Sequence, residues 1–169
     1  MRSVSVRAAH SDGGETLIEL IVSVVILGIT AVAVVGGIGV SITMSDIHHK
    51  QATAGAAVRD YAETIETFIS GGGYVSCATP AAYSPATVGY TAPPGYSAAI
   101  TALTYWQDST TTPAQATPAF YSTCPSKTNG AAGDSGLQQL SLKVSSADGR
   151  ATEKLIVVLR QPCADLSCH

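Results

Sequence analysis

One carboxylate, Glu19, stands at the start of a long apolar run, where an ionised side chain is costly. From Leu20 to Val40 the chain carries no charged residue. A charge next to hydrocarbon needs a cation or hydrogen-bond donors as partners. Glu19 is therefore the residue whose type and position most directly predict a function, namely pairing with a positive or hydrogen-bond-donating group.

Two other patterns carry weaker chemical signals. Gly133-Asp134-Ser135-Gly136 is similar to the serine loop of trypsin-like proteases, but a nucleophilic serine needs a base and an orienting acid. The histidines lie in the N-terminal polar segment, on a predicted helix and at the last position: His10, His48, His49 and His169. Adjacent residues point about 100° apart on a helix, so His48 and His49 do not readily share a metal. We expect no enzymatic activity, no metal and no cofactor, and a plain turn before a strand at Leu137.

Four cysteines follow the apolar run: Cys77, Cys124, Cys163 and Cys168. An even count in an exported domain indicates two disulfides, and four cysteines allow three connectivities. We favour a Cys77–Cys124 bond together with a small Cys163–Cys168 loop. No two cysteines have the CxxC spacing that is typical of zinc sites.

The apolar run has the length of one membrane span. Leu20 to Val40 is 21 residues, which a helix extends over about 30 Å, the thickness of a bilayer core. Arg2 and Arg7 precede the run, and the next basic residue is Lys50. The positive-inside rule then predicts a single-pass protein of the cytoplasmic membrane, with its N-terminus in the cytoplasm and its C-terminal part outside. The net charge of −3 gives no indication of nucleic-acid binding.

The helical pattern continues past the apolar run. Larger apolar residues and one alanine recur at helical spacing at Ile47, Ala54, Val58, Tyr61, Ile65 and Phe68. Gly71-Gly72-Gly73 follows, and glycine is typical just beyond a helix C-terminus. We predict one helix from about Glu15 to Ser70, roughly 80 Å long. Its transmembrane part covers residues 15–43 and its amphipathic part residues 44–70.

The C-terminal half predicts a small antiparallel sheet. Leu140, Leu142 and Val144 alternate with polar residues, which is typical of a strand with one buried face. The Asp148-Gly149 turn joins this strand to the next in a β-hairpin. Predicted strands cover about 98–106, 137–146 and 152–160, with irregular segments over 74–97 and 107–136. The fold class is α+β, with the long helix packed on a sheet of three or four strands in a head of residues 44–169.

The N-terminal residues resemble the motif of type IV prepilins and pseudopilins. In that family the leader is removed after a glycine, and Gly14 matches it. Thr16, Leu17 and Glu19 match the second, third and fifth mature residues, and Gly28 matches a glycine midway along the membrane helix. Two positions depart from the pattern. Glu15 stands where the family commonly has Phe or Met, and Gly36 stands where many members have proline.

The resemblance implies a processing step and an assembly. Prepilin peptidase would remove the leader, residues 1–14, on the cytoplasmic side and then methylate the new amine on Glu15. Glu19 would pair with that amine on a neighbouring subunit, and Gly28 would let the helix loosen during assembly. The product would be a structural pilin-like subunit of a type IV pilus or a secretion pseudopilus at the cell surface. Its partners would be other pilin subunits, prepilin peptidase, the inner-membrane assembly platform and membrane lipid.

Two alternatives remain open from the residues alone. The chain can be a monomeric, membrane-anchored exported domain that binds a ligand and has no filament role. It can also be a secreted enzyme released by signal peptidase, because Ala31-Val32-Ala33 has the small-x-small pattern of a signal-peptidase site. In that case the mature chain would begin at Val34.

Overall fold

The computed structural model describes residues 15–111, 114–125 and 133–162. The chain divides into two units, one ending at Asp46 and the other beginning at Ile47. The second unit is called the head below.

Helix α1 (Glu15–Phe68) is the first element of the described residues. Within the head, one stripe of α1 is buried at Ala54, Val58, Tyr61 and Ile65, which confirms the predicted helical face. A single π-helical turn, Ile69–Gly73, follows. Gly72 has a φ of 91°, a conformation that residues with a Cβ rarely adopt, so the helix ends within the triglycine segment.

In the described part of the chain, four strands form one antiparallel sheet in the order β2-β1-β3-β4. Their bounds are Tyr96–Gln107 for β1, Ala119–Tyr121 for β2, Leu137–Ser146 for β3 and Thr152–Arg160 for β4. The β3–β4 hairpin turns at Asp148-Gly149, where Gly149 has a φ of 70°. The predicted bounds of β3 and β4 are confirmed, while β1 begins two residues earlier and ends one residue later than predicted.

The core of the head lies between α1 and one face of the sheet. Leu140, Leu142 and Val144 on β3 are fully buried and belong to the same cluster as Tyr61 and Ile65 on α1. The alternating pattern of β3 turns one side of the strand toward the helix and leaves the other facing outward. The head is therefore α+β, a helix packed on a four-stranded sheet, as the sequence predicts.

The prediction of an irregular segment over 74–97 is wrong in part. It contains a 3-10 turn, Pro80–Tyr83, and a short helix α2 (Pro85–Val88). The Ser84 hydroxyl accepts a hydrogen bond from the Thr87 amide, so Ser84 caps α2. Proline at the start of each turn presets the helical φ angle. These elements are too short to produce a period in the sequence.

Strand β2 also lies in a segment that was predicted to be irregular. It pairs with the end of β1 through only three residues, Ala119–Tyr121. Phe120 packs edge-to-face against Trp106, with ring centroids 5.3 Å apart. This aromatic contact stabilises β2, which the Thr- and Pro-rich sequence around it does not predict.

Tyrosine hydroxyls connect α1 to the segment that follows it. The Tyr61 hydroxyl donates to the Tyr83 carbonyl at 2.7 Å, and the Tyr90 hydroxyl donates to the Ala57 carbonyl at 2.9 Å. The Tyr61 and Tyr90 rings stack with centroids 4.8 Å apart. Burial, together with the neighbouring Tyr90, raises the pKa of Tyr61 to about 12. The hydroxyl therefore remains protonated and keeps donating at neutral pH.

An ion pair joins α1 to the β3–β4 turn and predicts a pH dependence. The Lys50 amine lies 2.7 Å from the Asp148 carboxylate. Hydrogen bonds from Lys50 and Ser146 hold the pKa of Asp148 well below its usual value. A lowered carboxyl pKa adds stability above the unfolded pKa of about 3.9, and this is lost as the pH falls toward the folded pKa. We expect Asp148→Asn to lower Tm modestly at pH 7.

The measurement is Tm of the full chain in detergent, recorded from pH 7 down to pH 2. The difference between the wild type and Asp148→Asn should shrink below about pH 4, because the wild-type carboxylate is then being protonated. Asp60→Asn, at an exposed position on α1, is the matched control. A difference that stays constant over the whole range would contradict the assigned role of the ion pair.

Candidate functional site

The first unit presents an apolar helical surface that none of its described residues covers. Every side chain from Leu17 to Met44, called the apolar segment below, is exposed. Leu27, for example, is 67% exposed and Val32 is 74% exposed. The helix is long and apolar enough to cross a membrane, as judged by length and composition. Proteins that remain monomeric in water rarely expose an apolar surface of this size, so lipid or protein must cover it.

Glu19 is the one charged residue of the apolar segment. Its side chain is exposed in the second turn of α1. The neighbouring predicted site residues lie in the first turn, because α1 begins at Glu15 and continues through Thr16 and Leu17. Gly14 and the rest of the predicted leader lie outside the described residues.

Small and polar residues share one side of the apolar segment with Glu19. Ser23, Thr30 and Gly37 follow one another at intervals of seven residues, a spacing that keeps them along one side of a helix. The Thr30 hydroxyl donates to the carbonyls of Ile26 and Leu27 at 2.9 and 3.0 Å, so it needs no outside partner. Counting at intervals of seven would have revealed this side from the sequence.

Gly28 lies on the opposite side of the helix. It is nine residues after Glu19, which corresponds to a rotation of about 180°. A Cβ added at Gly28 would meet nothing within 4 Å. No contact among the described residues therefore requires glycine here, and the structure does not bring Gly28 together with Glu19.

The head contains the disulfide that the sequence favoured. Cys77 and Cys124 are bonded, with their Cα atoms 5.5 Å apart and a separation of 47 positions along the chain. The bond ties the segment after α1 to the segment after β2. Cys163 and Cys168 lie outside the described residues, so the second predicted loop stays a prediction.

The sequence did not indicate the role of Asp134, a buried carboxylate next to this disulfide. Asp134 is only 8% exposed. It accepts hydrogen bonds from the Tyr74 hydroxyl at 2.8 Å, from the Cys77 amide at 3.1 Å and from the Gly136 amide at 3.0 Å. The Gln138 side-chain amide also donates to it. These four donors are neutral, so among the described residues Asp134 is held by hydrogen bonds alone.

The same contacts explain why the protease-like loop has a structural role. Burial, followed by the hydrogen bond to Asp134, raises the pKa of Tyr74 far above its usual value, so that this hydroxyl is a permanent donor. Ser135, the serine of the loop, donates its hydroxyl to the Trp106 carbonyl at 3.1 Å. The loop thus fastens the start of β3 to β1 and to the segment after α1.

Two surfaces of different kinds therefore distinguish the chain. One is the exposed apolar segment with Glu19, and the other is the head, whose loops are fixed by a disulfide and a buried carboxylate.

His48 and His49 are exposed on α1. Among the described residues, no group of three His, Cys, Asp or Glu side chains is placed to hold a metal. Comparison of the chain with protein-family models, with curated proteins and with solved structures found no match.

Proposed function

We propose that this chain is a structural pilin-like subunit of a type IV pilus or a related secretion pseudopilus. Prepilin peptidase cleaves it after Gly14, and its N-terminal helix then assembles with those of other subunits. The observation that carries the proposal is the apolar segment, in which all side chains from Leu17 to Met44 are exposed and Glu19 is the one charge.

Glu19 argues for assembly rather than simple anchoring. An anchor gains nothing from a carboxylate near hydrocarbon, because the ionised group needs a partner there. Cleavage after Gly14 creates a free α-amine on Glu15, four residues before Glu19. Four residues are about one helical turn, or 6 Å. A neighbouring subunit that is displaced along the helix axis brings its amine level with Glu19, and the ion pair then fixes the axial register.

The side of the apolar segment that carries Glu19 has small residues, which suits packing against the helix of a neighbouring subunit. Ser23, Thr30 and Gly37 carry short side chains on the side of Glu19. Helices in apolar surroundings associate through small residues, which let their backbones approach closely. Because the Thr30 hydroxyl is satisfied within its own helix, this side tolerates either lipid or a helix. The same surface can therefore leave the membrane and enter a filament core.

The disulfide of the head fits an exported domain. Such bonds form outside the reducing cytoplasm. Arg2 and Arg7 precede the apolar segment, and the positive-inside rule keeps that end in the cytoplasm. Cys77 and Cys124 then lie on the opposite side of the membrane, where oxidation takes place.

The test of this proposal is the N-terminal mass of the mature protein, purified from cells that make it naturally. We expect a first residue of Glu15, either unmodified or with one added methyl group. Prepilin peptidase is the enzyme class that cuts before an intact apolar helix, whereas signal peptidase cuts after one. Deletion of the peptidase gene should restore the mass of the chain beginning at Met1.

Two results would overturn the proposal. A mature terminus at Met1 in cells with an active prepilin peptidase would mean that residues 1–14 are not a leader. A terminus at Val34 would mean that the apolar helix is removed, and that a secreted domain remains. A matched variant, Gly14→Val, controls for cleavage at other sites and should accumulate uncut.

A further inference from the structure

The head has two outward faces of opposite charge. Its layers are α1 and the sheet, with the core between them. One outward face belongs to the side of α1 that points away from the sheet, and the other belongs to the side of the sheet that points away from α1. These are called the helix face and the sheet face below.

The sheet face is basic. Lys143 on β3 and Lys154 on β4 are directly opposite each other in the hairpin register, and both lie on the outward side. Like charges at such a position repel one another and destabilise the strand pair. Arg160 extends the same side of β4, and none of the outward positions of β3 and β4 is acidic. Within the described part of the chain, no carboxylate forms an ion pair with either lysine.

An apolar patch adjoins the two lysines. Ile156 and Val158 follow Lys154 on the outward side of β4 and are 62% and 52% exposed. Exposed β-branched side chains beside paired lysines form a surface that a partner can both bury and neutralise. The described residues leave more than half of each of these two side chains uncovered, which favours a contact with a partner.

The helix face is acidic. Asp60, Glu63 and Glu66 are all exposed on α1, and Glu63 points most directly away from the core. Arg59 is the one basic residue between Gln51 and Ser70. Ala52 and Ala56 are exposed on the same side, and their short side chains allow a partner surface to approach the helix backbone closely.

We infer that the sheet face of one head docks against the helix face of a second copy of this chain, with Lys143 and Lys154 neutralised by Glu63 and Glu66. The inference rests on the proposed function, because it names the head contact of the same assembly. The partner is a second copy because the chain itself carries the complementary charges, and opposite charges across an interface set its register and partner.

The geometry of the two faces predicts how such contacts propagate. Glu63 lies on the opposite side of the two-layered head from the two lysines, so each copy uses a different surface from its neighbour. Glu66 lies toward the β4 edge, where it lines a groove with Val158 and Arg160. Such head-to-tail contacts build rings when they close and helical filaments when they do not. The repulsion between Lys143 and Lys154 in the isolated head is relieved in the contact, which favours assembled over free heads.

The experiment reverses charges in the full-length chain and measures filament yield as subunit sheared from the surface of the native host. The first variant carries Lys143→Glu and Lys154→Glu, the second carries Glu63→Lys and Glu66→Lys, and the third carries all four substitutions. We expect each double variant to lose at least about tenfold in yield, which corresponds to about 1.4 kcal/mol. The quadruple variant should recover most of the yield, as should co-production of the two doubles.

Two controls accompany this experiment: one tests whether the variants fold, and the other tests which residues of neighbouring wild-type copies lie close together. Each variant should retain the Cys77–Cys124 bond and the wild-type Tm in detergent, because all four positions lie on the surface. Carbodiimide treatment of wild-type filaments that mix light and heavy isotope labels should give Lys154–Glu63 cross-links between copies, identified by mass spectrometry.

The outcomes separate this inference from the proposed function. Wild-type filaments together with wild-type yield from both double variants would overturn the head contact and leave the pilin proposal intact. Failure of the quadruple variant to recover would also overturn it, and would be the result if the sheet face instead served an anionic polymer. A wild-type chain that is cut after Gly14 but never assembles would contradict the proposed function itself.

Discussion

Replacement of Glu19 by alanine is expected to leave the chain inserted in the membrane and to abolish its assembly. Removal of the one charge of the apolar segment makes membrane insertion more favourable. The same change removes the proposed partner of the Glu15 amine on a neighbouring subunit. We expect the yield of assembled subunit to fall at least about tenfold, the effect of losing about 1.4 kcal/mol per contact. The measurement is the ratio of sheared surface protein to membrane-bound protein.

Two further variants identify the cause of this loss. Glu19→Gln retains the size of the side chain and removes its charge, so it should behave like Glu19→Ala if the ion pair is what matters. Val25→Ala shortens a side chain elsewhere on the apolar segment and should assemble normally. Normal assembly of Glu19→Ala would mean that the carboxylate has no partner in the filament, and would favour the reading of the chain as a membrane-anchored monomer.

Replacement of Asp134 by alanine is expected to be the most damaging single change in the head. The variant would leave the amides of Cys77 and Gly136 and the Tyr74 hydroxyl without their acceptor in a buried site. Each buried donor left without a partner costs about 1–3 kcal/mol. We expect the free energy of unfolding to fall by about 4 kcal/mol, since water will partly replace the lost acceptor. Denaturant unfolding of the full chain in detergent, with the disulfide intact, measures this.

The control for this prediction is Asp60→Ala, because Asp60 is an exposed carboxylate on α1. Its effect should stay within about 0.5 kcal/mol. Asp134→Asn retains one acceptor oxygen and should lose less than Asp134→Ala. An alanine variant as stable as the wild type would show that the hydrogen bonds to Asp134 contribute no net stability.

The elements that are visible in the sequence are those with a long, regular pattern. The amphipathic stripe through Val58, Tyr61 and Ile65 predicts which side of α1 is buried. The triglycine segment predicts where α1 ends. The alternation at Leu140, Leu142 and Val144, with a turn at Asp148-Gly149, predicts β3 and β4 to the residue. In these segments local preference and tertiary burial agree, so the period alone is sufficient.

The features that the sequence does not reveal depend on contacts between distant residues. Strand β2 has three residues and exists because it pairs with β1. The role of Asp134 arises from donors 57 and 60 residues away, at Cys77 and Tyr74. No local spacing encodes such a site. On the apolar segment the signal is local but weak, because Ser23, Thr30 and Gly37 stand out only once the helix is assumed.

The tyrosine contacts of α1 also bear on the order in which the head folds. The hydroxyls of Tyr61 and Tyr90 reach carbonyls 22 and 33 residues away. The bond between Thr101 on β1 and Ser141 on β3 spans 40 residues, whereas a short hairpin turn at Asp148-Gly149 joins β3 to β4. Shorter loops close at a lower entropic cost. Residues 47–90 and the β3–β4 hairpin can therefore each form early, and the pairing of β1 with β3, which closes the longest of these loops, then joins them.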